Sequence, residues 1–269
     1  MPLELRLLAE EGKVGAEAVR DGIRVGSLLG ALVDDDLRGR HVWSALEDHG
    51  LAEGEDPELY RELYALAAEQ WVGAGYLDHY VVVPAEPKVL ETWYGLSFAQ
   101  QQVYGSLRLV PALRPSPERF TVRLGGVDDL EVAMALAFVI FDHQAGPPTW
   151  AGAPAPPEDE VRVSYAEHLA DPKVTYFVAE REGEPLGHLI LERRSDTEVE
   201  LSVAATVPEA RGLGVGTALT DLALAWAYDQ GFRTCVTDWR SANRLSARFW
   251  PRSGFRPTAY RLFRSVRLP

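Results

Sequence analysis

Apolar residues in the second half of the chain recur at the spacing of a helix. Between positions 215 and 226 they fall every three or four residues, which predicts a helix over 216–228 that ends at Gly231. The residues on its apolar face are Val215, Leu219, Leu222 and Trp226. The pattern then predicts a strand over 234–237, a helix over 243–250 and a strand over 259–266.

The first half of the chain shows the same order of elements. Asp56 and Pro57 are typical of a helix start, with Asp56 as the N-cap and Pro57 at the first helical position. A strand over 80–83, a helix over 86–93 and a strand over 102–109 follow. A shift of about 156 residues aligns the two halves and brings Trp93 onto Phe249, which predicts two copies of one fold.

The middle of the chain alternates in a way that is typical of short antiparallel strands. Three strands over 174–180, 186–193 and 199–207 are separated by short polar turns. A strand from Phe120, a helix over 128–141, a Gly- and Pro-rich loop over 145–157 and a helix over 158–169 come before them.

We therefore predict an α/β (α+β) protein of two tandem domains, each a mixed, mostly antiparallel sheet flanked by helices. The predicted domains are 1–110 and 119–269, and a proline-rich linker over 111–118 joins them.

A glycine-rich loop precedes the helix over 216–228. It reads Arg211-Gly212-Leu213-Gly214-Val215-Gly216, and glycine lets the backbone bend tightly and approach a bound group. The first N–H groups of a helix have no partner within the helix, and the helix dipole is positive there. The loop therefore predicts a site for an anion such as phosphate. It has no lysine before Thr217, as a nucleoside-triphosphate loop would, and it lacks the context of a dinucleotide fingerprint.

The equivalent stretch of the first copy is acidic. Glu55, Asp56 and Glu58 stand where a pyrophosphate would have to bind, and Pro57 offers no N–H group. We expect Asp56 to cap the free N–H groups itself, so that this copy shapes and packs the protein without binding a nucleotide-type cofactor.

Composition narrows the classes of function. No run of about eighteen apolar residues exists and the acidic N-terminus does not resemble a secretory signal, so we expect no membrane partner. The one cysteine, Cys235, rules out an internal disulfide and fits a reducing cytoplasm. The net charge of −13 disfavours nucleic acid and mildly favours cationic small substrates.

Two motifs in the second copy together resemble the GNAT superfamily of N-acyltransferases. The first is a Val-Pro strand end followed by Arg-x-x-Gly-x-Gly, and the second is Asn243-x-x-Ser-x-x-Phe-Trp-x-x-x-Gly254-Phe255. The resemblance covers about 120–269, and the first half looks like a degenerate copy, an arrangement known in the superfamily. It implies acetyl-CoA as the acyl donor. The residues it implies for donor binding are Ala205, Thr206, Arg211, Gly212, Gly214, Val215, Gly216, Thr217 and Asn243, with Arg244 or Arg248 toward the outer phosphate.

The resemblance also implies direct attack of a primary amine on the thioester, with a carboxylate removing the amine's proton. Glu198 and Glu200 share one face of their predicted strand, and Glu200 is the first choice of base. The family's usual tyrosine acid is replaced by Trp250, whose indole has no useful acidity, so Tyr260 is the candidate acid. The leaving thiolate could also depart without help.

Other residues carry weaker signals. His143 and His188 have no partner at metal-ligand spacing, so we expect no metal. We expect Cys235 to be an inert core thiol, whereas Asp142, Trp150 and Glu180 could line an acceptor pocket. Two rival functions stay open: an acyl-CoA-binding sensor without catalysis, and a tandem enzyme like mycothiol synthase. A homodimer is possible, and the acceptor amine stays unidentified.

Overall fold

The computed structural model describes residues 2–112, 117–150 and 155–267. The chain forms two compact units, one of Met1–Val103 with Pro257–Pro269 and one of Tyr104–Arg256. The boundary between them does not coincide with the predicted linker, of which residues 113–116 lie outside the described residues. The C-terminal strand, predicted as part of the second domain, groups almost entirely with the first unit.

The first unit is built on a strand meander that the apolar pattern did not predict. Four antiparallel strands follow one another: β1 (Glu4–Glu10), β2 (Lys13–Arg20), β3 (Ile23–Asp35) and β4 (Gly39–Ser44). The short β5 (His49–Leu51) pairs with β3, β6 (Asp78–Pro84) runs parallel to β4, and β13 (Arg256–Ser265) is antiparallel to β6. The first two hairpins turn at Glu11-Gly12 and Asp21-Gly22, all with positive φ, which is the geometry of tight hairpin turns.

Two helices cover one face of this sheet. They are α1 (Leu59–Gly73) and α2 (Pro87–Gly95), and their apolar sides pack on alternate residues of the strands. Trp71 and Trp93 are fully buried in this core beside Leu28 and Val81. Burial of several large aromatic side chains gives the unit an extensive apolar core of its own.

The second unit contains the predicted meander. β8 (Thr121–Leu124), β9 (Val174–Arg181), β10 (Glu184–Arg193) and β11 (Glu198–Thr206) pair in antiparallel fashion, and β12 (Thr234–Arg240) runs parallel to β11. The strand β7 (Ala99–Arg108) leads from the first unit into the second, where the Leu109 N–H donates to the Arg233 carbonyl at 2.8 Å.

Helices lie on both faces of the second sheet. These are α3 (Leu130–Ala137), α4 (Val139–Ala145), α5 (Glu158–Ala170), α6 (Val215–Asp229) and α7 (Ser246–Arg252). A side chain at Gly187 would meet Val215 and Leu219 of α6, whereas the next residue, His188, stacks on Tyr165 of α5. Because neighbouring residues of a strand point to opposite faces, α5 and α6 lie on opposite sides of the sheet.

The two predicted helices over 128–141 and 243–250 differ in detail from the structure. The first is a 3-10 turn followed by α3 and α4, with a break at Phe138. The second begins later, at Ser246, because a turn centred on Asn243 comes before it.

The parallel strand pairs of the two units have the same register. In the first unit four residue pairs run from His41–Asp78 to Ser44–Val81. In the second, four pairs run from Glu198–Thr234 to Leu201–Thr237. The residues of β11 follow their counterparts in β4 by 157 positions, and those of β12 follow their counterparts in β6 by 156 positions. These offsets match the shift predicted from the sequence.

Gly187 sets how closely β10 and β11 approach α6, and this predicts a stability effect. A Cβ atom at this position would lie 2.6 Å from the Ala205 carbonyl oxygen and 3.2 Å from Val215. We expect Gly187→Ala to lower the free energy of unfolding by about 1–3 kcal/mol, as overpacking does, measured by urea unfolding. Gly126→Ala is the matched control, because nothing lies within 4 Å of its Cβ position. Equal stability of the two variants would contradict this packing.

Candidate functional site

The site begins where β11 and β12 separate. Their pairing ends at Leu201–Thr237, although β11 continues to Thr206 and β12 to Arg240. At the point of separation the buried Thr237 hydroxyl donates to the Leu201 carbonyl at 2.9 Å. This bond satisfies the last carbonyl that faces β12, and the strands diverge beyond it.

A bulge in β11 adjoins the point of separation. Leu201 pairs with Leu191 and Val203 with Ile190, so Ser202 is an extra residue in β11. Farther along, the Val207 N–H donates to the Leu186 carbonyl at 3.0 Å, on the β10 side.

The Val207 N–H therefore points toward β10. Because strand amides alternate in direction, the N–H groups of Thr206 and Ala204 point to the opposite side, which β12 has left. This edge can accept an extended ligand as an added strand.

The glycine loop leads from β11 into α6. Gly212 and Gly214 have φ of 80° and 87°, and Gly214 is the N-cap of α6. These two positions need glycine for their backbone conformation. Gly216 differs, because a Cβ atom there would sit at ordinary contact distance, 3.6 Å from Thr206 Oγ1 and 3.7 Å from Phe249.

The start of α6 is open to an anion. In the described part of the chain no side chain caps this helix, and its first turn carries no acidic residue. The N–H groups of Val215, Gly216 and Thr217 have no partner within the helix, as at any helix start. Arg211 is exposed at the entrance of the loop. Free amides, the positive end of a helix dipole and a guanidinium at one place are groups that suit an anion.

Asn243 connects α7 to another helix. Its side chain is buried, and Oδ1 accepts the N–H groups of Leu245 at 3.1 Å and Ser246 at 3.3 Å. His143 of α4 reaches the same oxygen, with Nε2 3.2 Å away. Sequence reasoning named both residues but gave no reason to pair them, since 100 positions separate them in the chain.

The two candidate bases lie on β11, on the face that α3 and α5 cover. Glu200 forms an ion pair with Arg194, and Glu192 lies 3.8 Å from the same guanidinium. Glu198 is the first residue of β11, next to the hairpin turn, where its carbonyl accepts the Arg194 N–H at 2.9 Å. Glu200 is therefore the nearer of the two to the point where the strands separate.

Tyr260 and Trp250 belong to different units. Tyr260 pairs with Val83 in the first unit and packs on the core of that unit. Trp250 is buried in the second unit, with ring centroids 4.9 Å from Phe249 and 5.4 Å from Phe255. The structure thus shows both side chains in packing contacts.

Of the weaker candidates for an acceptor pocket, Glu180 has a structural role and the other two are exposed. Glu180 is bound to Arg123 at 3.0 Å, and Asp129 holds the same guanidinium at 2.8 Å. Hydrogen bonds from Arg123 are the main reason that the pKa of Asp129 is lowered. Asp142 is exposed, and Trp150 is 72% exposed.

Cys235 is fully buried, as predicted for a core thiol, and burial raises its pKa to about 12. A thiol in this state is not ionised at neutral pH and is a poor nucleophile. Among the described residues, no three His, Cys, Asp or Glu side chains are grouped so that they could hold a metal ion.

In the first unit three buried aromatic residues occupy the positions that correspond to the space between β11 and β12 and the start of α6. By the repeat, His49, Tyr60 and Trp93 correspond to Thr206, Gly216 and Phe249. His49 Nε2 donates to the Val82 carbonyl at 2.7 Å, and the Tyr60 hydroxyl lies 3.2 Å from His49 Nδ1. The ring of Trp93 packs 5.6 Å from that of Tyr60.

The start of α1 is occupied by the protein's own charges. Glu55 is paired with Arg20, and Glu58 with Arg61 at 2.6 Å. The helix begins at Leu59, two residues later than predicted, because Asp56 and Pro57 form a preceding turn. Asp56 Oδ1 accepts the Glu58 N–H at 3.0 Å, so Asp56 does satisfy an amide at this end.

Comparison with known proteins confirms the predicted resemblance. Residues 139–255 match the model of the family described as "Acetyltransferase (GNAT) family". A stretch of 100 residues is 33% identical to an uncharacterised N-acetyltransferase of Mycobacterium tuberculosis, covering 37% of this chain and 64% of that protein. A mycothiol acetyltransferase of Cellulomonas flavigena is 32% identical over 110 residues, covering 37% of this chain and 31% of that protein.

Solved structures share the fold at low sequence identity. A GCN5-related N-acetyltransferase from Sphaerobacter thermophilus has a TM-score of 0.65 at 14% identity, covering 96% of this chain and 82% of that one. A tandem GNAT protein from the clavulanic acid biosynthesis pathway has a TM-score of 0.50 at 14% identity, covering 95% and 83%. The tandem GNAT fold predicted from the sequence is therefore confirmed.

None of the helices in the described part of the chain combines the length and apolar content needed to cross a bilayer.

His188 gives the second unit a specific pH dependence. The imidazole is fully buried, and burial lowers its pKa from 6.5 to about 4. The unfolded chain therefore binds this proton at a higher pH than the folded chain. The stability contribution is intact above pH 6.5 and is lost progressively as the pH falls from 6.5 to 4.

We expect His188→Leu to remove this dependence. Between pH 7 and pH 4 the wild type should lose about 3 kcal/mol more stability than the variant, from about 1.4 kcal/mol per pKa unit. Urea unfolding at both pH values measures the difference. His168→Leu on α5 is the control and should keep the wild-type dependence. Parallel pH dependence of the wild type and His188→Leu would show that His188 titrates normally.

Proposed function

We propose that the second unit binds acetyl-CoA and transfers its acetyl group to a primary amine, as an N-acetyltransferase. One observation carries the proposal: the separation of β11 from β12 ends beside the uncapped start of α6. An unpaired strand edge suits an extended, amide-containing arm, and the helix start suits a pyrophosphate. Coenzyme A has both groups in one molecule.

The donor-binding residues named from the sequence fit this arrangement. The cradle for the pyrophosphate consists of Arg211, Gly212, Gly214, Val215, Gly216 and Thr217. The β11 backbone around Ala205 and Thr206 would bind the pantetheine arm, and Asn243 would contact it from the other side.

The charge around α7 supports a polyanionic donor. From 240 to 256 every fourth residue is arginine, and this stretch contains no aspartate or glutamate. In a chain of net charge −13 this is a marked basic segment, and Arg244 and Arg248 within it are exposed. Arginine binds phosphate through several directed hydrogen bonds, so these two residues are suited to the outer phosphate.

The reaction requires a neutral amine beside the thioester carbonyl. The amine nitrogen forms the C–N bond, the C–S bond breaks, and a base takes the proton from nitrogen. Because the Glu200 carboxylate is paired with Arg194, we assign Glu200 and Glu198 chiefly to attracting the cationic acceptor to this face. This assignment lowers Glu200 from the first choice of base that the sequence suggested.

The leaving group needs little help. A thiol that is not perturbed has a pKa of about 8.5, so coenzyme A can leave as the thiolate anion and take a proton from solvent afterwards. Tyr260 remains the candidate acid in the chain, and the packing of Trp250 fits a wall or core residue.

We infer that the first unit no longer binds a donor. His49, Tyr60 and Trp93 stand where the second unit has Thr206, Gly216 and Phe249, and each is the larger residue of its pair. Carboxylates lie at the start of α1. Each chain should therefore bind one molecule of coenzyme A. We further propose a cytoplasmic protein.

Two alternatives follow from particular observations. An acyl-CoA sensor without catalysis is favoured by the tryptophan at the position of the usual tyrosine acid. A tandem enzyme with the activity of the mycothiol acetyltransferase of Cellulomonas flavigena is favoured by the 32% identity over 110 residues. The chain spans about two thirds or less of the length of the curated relatives it matches. The acceptor substrates of those relatives are therefore not assigned to this chain.

Gly214→Glu should abolish binding of coenzyme A. The change places a side chain and a negative charge in the cradle, at a residue with φ of 87°. We expect the Kd measured by calorimetry to rise at least about 100-fold, or about 2.7 kcal/mol. Gly231→Glu is the matched control, because Gly231 has φ of 96° and stands at the opposite end of α6. Equal affinity of both variants would place the binding site elsewhere.

A panel of amines separates the proposed enzyme from its alternatives. Polyamines, aminoglycosides and the amine substrate of mycothiol acetyltransferases are incubated with acetyl-CoA while free thiol is followed. We expect turnover of at least one amine and a binding stoichiometry of one coenzyme A per chain. Tight binding without turnover of any amine would favour the sensor, and two molecules bound per chain would contradict the closed first unit.

A further inference from the structure

The contact between His143 and Asn243 fixes the protonation of an imidazole. Asn243 Oδ1 accepts two backbone N–H groups, from Leu245 and Ser246, so the oxygen and not the amide nitrogen occupies that position. A carbonyl oxygen can only accept, and His143 Nε2 lies 3.2 Å from it. Nε2 therefore carries the proton, and in the neutral ring Nδ1 holds the free lone pair.

The same contact bridges the two sides of the groove. His143 lies on α4, which packs against β11. Asn243 follows the end of β12, where its N–H donates to the Arg240 carbonyl at 3.1 Å. The imidazole thus stands at the opening between these two strands, next to the residue that we assign to the pantetheine arm.

We propose that His143 is the catalytic base of the transfer and that Asn243 holds it in the reactive tautomer. This inference rests on the proposed function. As the amine nitrogen bonds to the acetyl carbon, its proton passes to His143 Nδ1 and the C–S electron pair leaves with sulfur. The imidazolium then returns the proton to the thiolate or to water. The products are the acetylated amine and the free thiol of coenzyme A, so no reactant besides acetyl-CoA and the amine is needed.

The surrounding contacts favour histidine over the carboxylates in this role. Glu200 is engaged by Arg194, and Glu198 lies at the far end of β11, beside the hairpin turn. A neutral imidazole with one nitrogen donating to a fixed acceptor has its other nitrogen prepared to accept a proton, which is the usual geometry of a histidine base.

His143→Gln tests the proposal because the glutamine amide can still donate to Asn243 but cannot act as a base. With the fastest amine of the panel, or with water as acceptor if none reacts, we expect kcat to fall at least about 100-fold. The KM for acetyl-CoA should stay within about twofold, since the Asn243 contact is kept. His168→Gln on α5 is the control and should keep full activity. Unchanged kcat in His143→Gln, or a loss confined to KM, would overturn the proposal.

Chemical rescue by imidazole is a second test of the assignment. Added imidazole should restore activity to His143→Ala by about tenfold, whereas it should leave the rate of His168→Ala unchanged. A loss of about 100-fold in Glu200→Gln, with full activity in His143→Gln, would assign the base to Glu200.

The ¹⁵N spectrum of the histidine-labelled protein reports the tautomer directly, whether or not the protein is an enzyme. We expect His143 to be protonated at Nε2 and bare at Nδ1. The opposite tautomer would overturn the inference. Absence of turnover with the expected tautomer would instead count against the proposed function.

Discussion

The separation of two parallel strands is the constraint on which the rest of the structure depends. A parallel pair that stops after four residues leaves backbone groups that must find other partners, since buried polar groups without partners are costly. In the second unit the last carbonyl of the pair is satisfied by the Thr237 hydroxyl. The amides of Ala204 and Thr206 beyond it face the space between the strands. A ligand that supplies acceptors there would complete the sheet, which is the physical basis of the binding that we propose.

The first unit has the same strand separation but satisfies it with its own side chains. Asp48 Oδ2 accepts the Ala45 N–H at 2.8 Å just after β4 ends, and His49 donates to the Val82 carbonyl on the neighbouring strand. Burial lowers the pKa of His49, which keeps the ring neutral and able to pair with both Val82 and Tyr60. The two copies thus share one topology and differ in what fills the gap. Tyr60, at the position of Gly216, is buried in the core of the first unit, so this gap is packed with side chains.

The sequence predicted those elements whose signal is local. The α6 helix, the glycine loop and the meander of β9 to β11 were evident because periodicity, glycine and turn residues occur within a few positions. The hairpins of β1 to β3 were missed although Glu-Gly and Asp-Gly mark their turns, because their strands mix glycine, charge and apolar residues without strict alternation. The pairings of Glu200 with Arg194, Glu180 with Arg123 and His143 with Asn243 depend on tertiary contacts. No single-sequence pattern reports the direction of such side chains.

Asn243 links the start of a helix to the orientation of the imidazole that we propose as the base. Its oxygen begins α7 by accepting two backbone N–H groups, and this role fixes which way the amide faces. That orientation leaves His143 only one way to bond, with Nε2 as the donor. The helix start therefore determines the tautomer of a histidine 100 residues away in the chain. An aspartate at 243 could also begin the helix, because its carboxylate accepts backbone N–H groups in the same way. Asparagine differs in that its amide carries no charge, so the contact with His143 is a hydrogen bond between neutral groups when the ring is neutral.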